Sequence, residues 1–128
     1  NWITYEWLLS DDEQANKKRQ EWLHLITQCE EAASEREMQT PDFWNRVQRT
    51  DAALLRALIE GKLTDPQQVT IISDRYTEDF KKRATARERA TVTEHLTFLA
   101  TILDARGAES TKIAEALRNI KRALEQTI

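Results

Sequence analysis

The stretch FKKRATARERATVTEHL, residues 80–96, carries the side chains in this sequence that are best suited to contacting phosphates. Five of its first ten residues are basic: Lys81, Lys82, Arg83, Arg87 and Arg89. Lysine and arginine are the usual partners of nucleic-acid phosphates, so the stretch is a candidate anion or nucleic-acid surface. Acidic residues are interspersed with the bases, which favours the alternative interpretation of a solvated, salt-bridged helix face.

Arg89 and His95 lie in the same stretch and are separated by five residues. This spacing resembles the Arg-x(4–6)-His signature of HEPN domains, which are all-α bundles, many of which cleave RNA or bind nucleotides. In that family the two residues face a dimer partner and complete a composite site. The resemblance covers these two residues, and Ala90 stands where the family often has a polar residue. It implies an RNA-binding or RNA-processing bundle as one alternative function.

Other residues that could do chemistry are few. The chain has 2 histidines, His24 and His95, and 1 cysteine, Cys29. A zinc site would need carboxylates to complete its ligands, and neither a Cys-x-x-Cys nor a His-Glu-x-x-His spacing occurs. Cys29 lies on an apolar stripe, which favours a small buried side chain over a reactive thiolate. We therefore expect no metal, no cofactor and no enzymatic activity.

The composition indicates one all-α domain. A length of 128 residues suits a single domain, and a chain with only 2 Gly, 2 Pro and 32% charged residues lacks the turns of a β-sandwich. The net charge of −3 disfavours a dedicated DNA-binding domain, which is usually basic. No run approaches the roughly 20 apolar residues of a membrane span. A single cysteine does not fix the compartment, which stays unknown.

Apolar residues recur three, four and seven positions apart, which predicts amphipathic helices. Short connections near 37–40, 61–65 and 106–110, with Gly61 closing a helix, predict an antiparallel bundle of four or five helices. Trp44 is also assigned to the core. The other side chains expected there are Trp22, Ile26, Cys29, Val47, Leu54, Leu58, Ile72, Tyr76, Leu96, Leu99, Leu103, Leu117, Ile120 and Leu124.

Short motifs indicate where helices start. SDDE at 10–13 fits a capping box in which Ser10 is the N-cap. Thr40 is expected to cap the next helix, with Pro41 at its first position. TDP at 64–66 repeats that signal.

The basic stretch also contains a predicted helix break. No glycine or proline lies between 67 and 106, so one continuous helix over 66–105 is sterically allowed. However, the apolar stripe that starts at Val69 and the one that starts at Val92 lie roughly 150° apart around a regular helix. Thr85 and Glu88 form a second capping box. We therefore predict a break at 83–86, with the continuous helix as the alternative.

The N-terminal segment NWITYEWLL, residues 1–9, is predicted to be an aromatic arm or helix lead-in to a bundle domain over 10–128. Its apolar side chains Trp2, Ile3, Tyr5 and Trp7 form a candidate partner surface, because exposed apolar patches mark partner or membrane surfaces. The alternative is that the segment packs on the core. Tryptophan and tyrosine also favour the membrane interface, so membrane proximity is a further interpretation.

These features favour a non-enzymatic protein–protein interaction module, such as the soluble part of a membrane-anchored or secreted protein. Its partner would be another protein or a second copy, and nucleic acid is not favoured. A ligand-sensing helical bundle is one alternative, to which buried polar residues such as His24 or Tyr76 would point. The RNA-directed bundle that uses Arg89 and His95 is the other.

Overall fold

Six helices make up the part of the chain that the computed structural model describes, residues 2–82 and 84–126. They are α1 (Trp2–Leu9), α2 (Asp12–Gln39), α3 (Phe43–Glu60), α4 (Pro66–Lys81), α5 (Ala86–Asp104) and α6 (Ala108–Glu125). No strand occurs within these ranges, which confirms the all-α class. The helix number exceeds the expected four or five, because the N-terminal segment forms a helix of its own.

Two of the predicted helix starts are wrong, and for the same reason. The Ser10 hydroxyl donates to the carbonyl oxygen of Trp7 at 2.8 Å, so it closes α1 instead of opening α2. Asp11 is the N-cap of α2, with its Oδ1 accepting from the Gln14 N–H at 2.8 Å. Thr40 likewise ends α2, and Asp42 caps α3. In both places an aspartate one or two residues later was free to accept the first N–H groups.

Other local signals are confirmed. Gly61 ends α3 with φ 71°, the left-handed conformation that glycine adopts without steric cost. Asp65 caps α4, and Pro66 occupies the first helical turn. These two features set the tight turn between α3 and α4.

The predicted break in the basic stretch is also confirmed. α4 ends at Lys81 and α5 begins at Ala86, while residue 83 lies outside the described ranges. Thr85 caps α5: its Oγ1 accepts from the Glu88 N–H at 3.1 Å, and Glu88 Oε1 accepts from the Thr85 N–H at 2.9 Å. The Arg46 guanidinium ties this elbow to α3 by donating to the Lys82 carbonyl at 2.6 Å.

The order in which the helices pack leaves a gap in the bundle. The closest pairs are α2 with α3, α3 with α4, α4 with α6, and α5 with α6. The short connections near 37–40, 61–65 and 106–110 thus join neighbouring helices, whereas α4 and α5 are not among the closest pairs, because α6 packs against both. As a result, α3 and α5 stand on either side of an open cleft.

The predicted core is confirmed with two exceptions, Cys29 and Trp44, which are both exposed. Phe43 takes the core position at the start of α3, and the next residue, Trp44, lies about 100° further round the helix. Cys29 lies on the side of α2 that faces the cleft. Trp22 is buried, as expected, in a small cluster with Ile3 of α1.

The N-terminal segment is therefore packed onto the bundle. Ile3 is buried in the small cluster, and Leu8 is buried in the main one. None of the described helices has the length and apolar character needed to cross a membrane, in agreement with the sequence.

Candidate functional site

An open cleft of about 590 Å³ lies between α3 and α5, with α1 and α2 closing one side. Residues three and four positions apart lie on the same face of a helix, so side chains from successive turns of α3 and α5 line the cleft. From α3 come Trp44, Val47, Gln48, Asp51, Ala52, Leu54, Leu55 and Leu58, and from α5 come Thr91, Val92, His95 and Leu99. This volume lies within the range of small-molecule sites, roughly 300–1,000 Å³.

The walls of the cleft are mainly apolar, and its rim is aromatic. Val47 and Leu58 of α3 and Val92 and Leu99 of α5 line the cleft, and all four belong to the main core cluster. Two tryptophans also line it: Trp2 is 59% exposed and Trp44 is 45% exposed. Exposed rings beside an apolar cavity offer large, rigid contact surfaces to a bound molecule.

Asp51 is the acidic group of the cleft. The Tyr76 hydroxyl donates to its Oδ1 at 2.6 Å, and Tyr76 itself is fully buried on α4. Desolvation raises the pKa of Asp51, and the Tyr76 hydrogen bond and the nearby His95 partly oppose this. Asp51 is nevertheless exposed and its carboxylate reaches solvent through the cleft, so its desolvation is only partial. The pKa of Tyr76 is raised well above 10, mainly because the side chain is buried and also because the charge of Asp51 is close. The hydroxyl therefore keeps its proton and donates it to the hydrogen bond.

Further polar groups come from three helices. His95 and Thr91, one turn apart on α5, are exposed and line the opposite wall from Asp51. Arg36 of α2 and Gln48 of α3 meet in the lining, where the Arg36 Nη2 donates to Gln48 Oε1 at 2.7 Å. The cleft therefore combines an apolar body with a few hydrogen-bonding groups, which is the usual make-up of a ligand site.

Cys29 also lines the cleft, which the sequence did not predict. Within residues 2–82 and 84–126, no hydrogen bond links Cys29, His95 and Asp51 to one another, and no group of three or more His, Cys, Asp or Glu could hold a metal ion. The lining groups can contact an apolar body and form hydrogen bonds to a polar group.

The residues of the candidate partner surface fall on different sides of α1. Trp2 and Tyr5 are exposed, whereas Ile3 is buried and Trp7 is half-buried against the core. Only Trp2 lines the cleft. Of the four residues, Trp2 and Tyr5 are therefore the ones that a partner could reach. A role for them in partner binding stays a prediction.

The candidate basic surface is divided by the elbow. Lys81 and Lys82 are exposed at the end of α4, and Arg87 is exposed at the start of α5. Arg83 lies outside the described residues. Lys81 pairs with Glu78 at 3.5 Å, as a solvated face would. An anion or nucleic-acid role for these residues stays a prediction.

The structure places Arg89 and His95 apart. His95 lines the cleft, while Arg89 is half-buried and does not belong to the lining. Residues six positions apart on a regular helix point roughly 120° away from each other, so one α5 helix does not present both to one ligand. The other histidine, His24, is exposed on α2 beside Gln28 and does not line the cleft.

The sequence contained an unused signal for the site. Asp51 follows Val47 by four residues and precedes Leu54 and Leu55 by three and four, so it interrupts the apolar stripe of α3. A carboxylate at such a position must either find a partner or serve a ligand. Tyr76, noted as a buried polar residue of the core, is that partner.

Comparison with known proteins identified no relative: no family model, no curated protein and no solved structure matches this chain.

Proposed function

We propose that this protein is a ligand-binding helical bundle whose cleft between α3 and α5 takes up a small amphipathic molecule. The observation that carries this proposal is Asp51, a carboxylate set in an apolar wall and hydrogen-bonded by the buried Tyr76. Asp51 is also exposed, so a bound molecule can reach its carboxylate. Groups with a shifted pKa within a cleft are typical of functional sites.

The apolar lining of the cleft would bind the apolar part of the ligand. Burying apolar ligand surface against Val47, Leu58 and Leu99 contributes about 25 cal/mol for each Å² removed from water. The polar groups, Asp51 on α3 and His95 on α5, would orient the ligand from both sides. The cleft is open to solvent, so a ligand can reach its lining directly.

A screen of small molecules by NMR, with the amide resonances assigned, tests this function. We expect binders to shift resonances of residues 47–58 and 91–99. Thr91→Phe places a ring in the cleft and should weaken binding at least roughly tenfold, since the filled volume is lost to the ligand.

The matched control for that variant is Thr97→Phe. Thr91 and Thr97 are both exposed on α5, and each hydroxyl donates at 3.0 Å to the carbonyl four residues earlier. Thr97 does not line the cleft. If the two variants bind equally, or if the shifts map to another surface, the cleft is not the binding site.

A second function, contact with a protein partner or a second copy, is favoured by the outer face of α1. We define this face as Trp2, Tyr5 and Leu9, which follow one another by three and four residues and are all exposed. On a regular helix this spacing forms one stripe. A stripe of exposed apolar side chains is typical of an interaction surface.

Double substitution of Tyr5→Ser and Leu9→Gln tests this second function without touching the cleft lining. Light scattering after gel filtration, at several concentrations, should show assembly of the wild type and its loss in the variant. Met38→Gln is the control, since Met38 is 86% exposed on α2, away from this face. A wild-type protein that is monomeric at every concentration would exclude self-association.

A further inference from the structure

We infer that the ligand of the cleft is an organic cation, namely a protonated amine carried on an apolar or aromatic body. This inference rests on the proposed function, because it names the chemical class that the same cleft would select. Its support comes from the charges that line the cleft, the way Asp51 is held, and the aromatic rim.

Arg36 and Asp51 both line the cleft, and each contacts a neutral side chain. Arg36 is exposed, and its guanidinium donates to Gln48 within the lining. Asp51 accepts from a neutral hydroxyl, that of Tyr76. Among residues 2–82 and 84–126, no lysine or arginine nitrogen lies within ion-pair distance of Asp51. The cleft thus holds a carboxylate that no described lysine or arginine pairs, and the nearby His95 partly offsets its charge.

The hydrogen bond from Tyr76 leaves Asp51 able to bind a donor. A carboxylate has about four acceptor positions, and the 2.6 Å bond from Tyr76 engages Oδ1. An alkylammonium group offers three donors and no acceptor, so it matches a carboxylate that is held in place. In a partly desolvated cleft the attraction between the two charges exceeds its value in bulk water. A carboxylate ligand would be repelled by the same group.

The surroundings of Asp51 fit the rest of such a molecule. Trp2 and Trp44 contribute exposed rings to the lining, and the face of an indole ring attracts cations. The aliphatic side chains of Val92 and Leu99 form the opposite wall, against which an apolar body would pack. An amphipathic amine could therefore pair with Asp51, contact the tryptophan rings and pack its apolar body against the aliphatic side chains.

The test uses matched sets of compounds that differ only in their polar end. Phenethylamine, tryptamine and cyclohexylmethylamine are each compared with the corresponding alcohol and carboxylate. Binding is followed by NMR titration of the full chain, with wild type, Asp51→Asn, Thr91→Phe and the control Asp74→Asn. Asp74 is exposed on α4 and does not line the cleft.

We expect the amines to shift cleft resonances and to bind at least roughly tenfold more tightly than the alcohols and carboxylates, because the bond to Asp51 is charge-assisted. Asp51→Asn should remove this preference, and Asp74→Asn should keep it. Asparagine retains an oxygen for Tyr76, so the fold need not change.

Two results would overturn the inference. If alcohols or carboxylates bind in the cleft as well as the amines do, or if Asp51→Asn binds amines as tightly as wild type, the selectivity for cations is wrong while the binding cleft stands. If no compound of any class shifts cleft resonances, or if Thr91→Phe leaves every titration unchanged, the proposed function itself fails.

Discussion

The Tyr76 hydroxyl donates a 2.6 Å hydrogen bond to Oδ1 of Asp51 and so connects the buried face of α4 with the wall of the cleft. Tyr76 has no exposed surface, whereas Asp51 reaches solvent through the cleft. One side chain therefore belongs to the core and the other to the site. The core and the proposed binding site meet at this pair, which makes it the first place to test.

We expect Tyr76→Phe to lower the free energy of unfolding by about 1–3 kcal/mol. The ring still fills its place, but Asp51 loses its donor, and hydrogen bonds to charged groups contribute in this range. Urea denaturation followed by circular dichroism measures the change. Tyr5→Phe is the matched control, because Tyr5 is 53% exposed and its hydroxyl is open to water. Equal stability of both variants would show that the bond contributes nothing measurable.

Asp51→Asn should change the dependence of stability on pH. Burial raises the pKa of Asp51 above its ordinary 3.8, so the folded state binds the proton more tightly than the unfolded state does. The stability from this group is present below pH 3.8 and is lost as the pH rises through the folded pKa. Asparagine cannot lose a proton, so the variant avoids that loss.

The measurement is the difference in unfolding free energy between Asp51→Asn and wild type at a series of pH values. We expect the difference to be smallest below 3.8 and to grow in favour of the variant above it. Asp79, whose pKa burial also raises, is common to both proteins and largely cancels in the difference. A difference that is constant with pH would contradict the shift. Asp74→Asn serves as the control for removing a charge outside the cleft.

The parts of the fold that depend on local signals could be predicted from the sequence. The end of α3 at Gly61 and the cap of α5 at Thr85 each follow from a residue and its near neighbours. The predictions that Ser10 and Thr40 are N-caps were wrong for the same reason. Each is followed by an aspartate that caps the next helix, and each lies at the end of the preceding helix. Local sequence does not show which of two adjacent capping residues is used.

The cleft depends on packing order, which no local pattern contains. It exists because α6 packs against both α4 and α5, leaving α3 and α5 apart. The same arrangement explains the errors at Cys29 and Trp44, which lie on apolar stripes but line the cleft. Asp51 was the one local sign of it, since a carboxylate interrupted the stripe of α3.

Cys29 offers a direct report on the cleft, because it is the chain's 1 cysteine and is exposed there. We expect iodoacetamide to alkylate it in the folded protein at a rate within about tenfold of the unfolded chain, since an exposed thiol needs no unfolding to react. Mass spectrometry after timed quenching measures the rate. A saturating cleft ligand, identified by the NMR screen, should slow the reaction in wild type. Alkylation that occurs only after denaturation would place the thiol in the core instead.

Thr85 caps the helix that follows the elbow between α4 and α5. We expect Thr85→Ala to lower the free energy of unfolding by about 1 kcal/mol, because it removes the hydroxyl that accepts the Glu88 N–H at 3.1 Å. Thr97→Ala, in the middle of α5 and exposed, is the matched control and should be neutral or slightly stabilising, since alanine has the higher helix propensity. Urea denaturation of both variants beside wild type measures the two changes. If both variants shift in the same direction and by the same amount, the cap at Thr85 does not hold the elbow. The break then depends on Arg46, which donates to the Lys82 carbonyl from the other side.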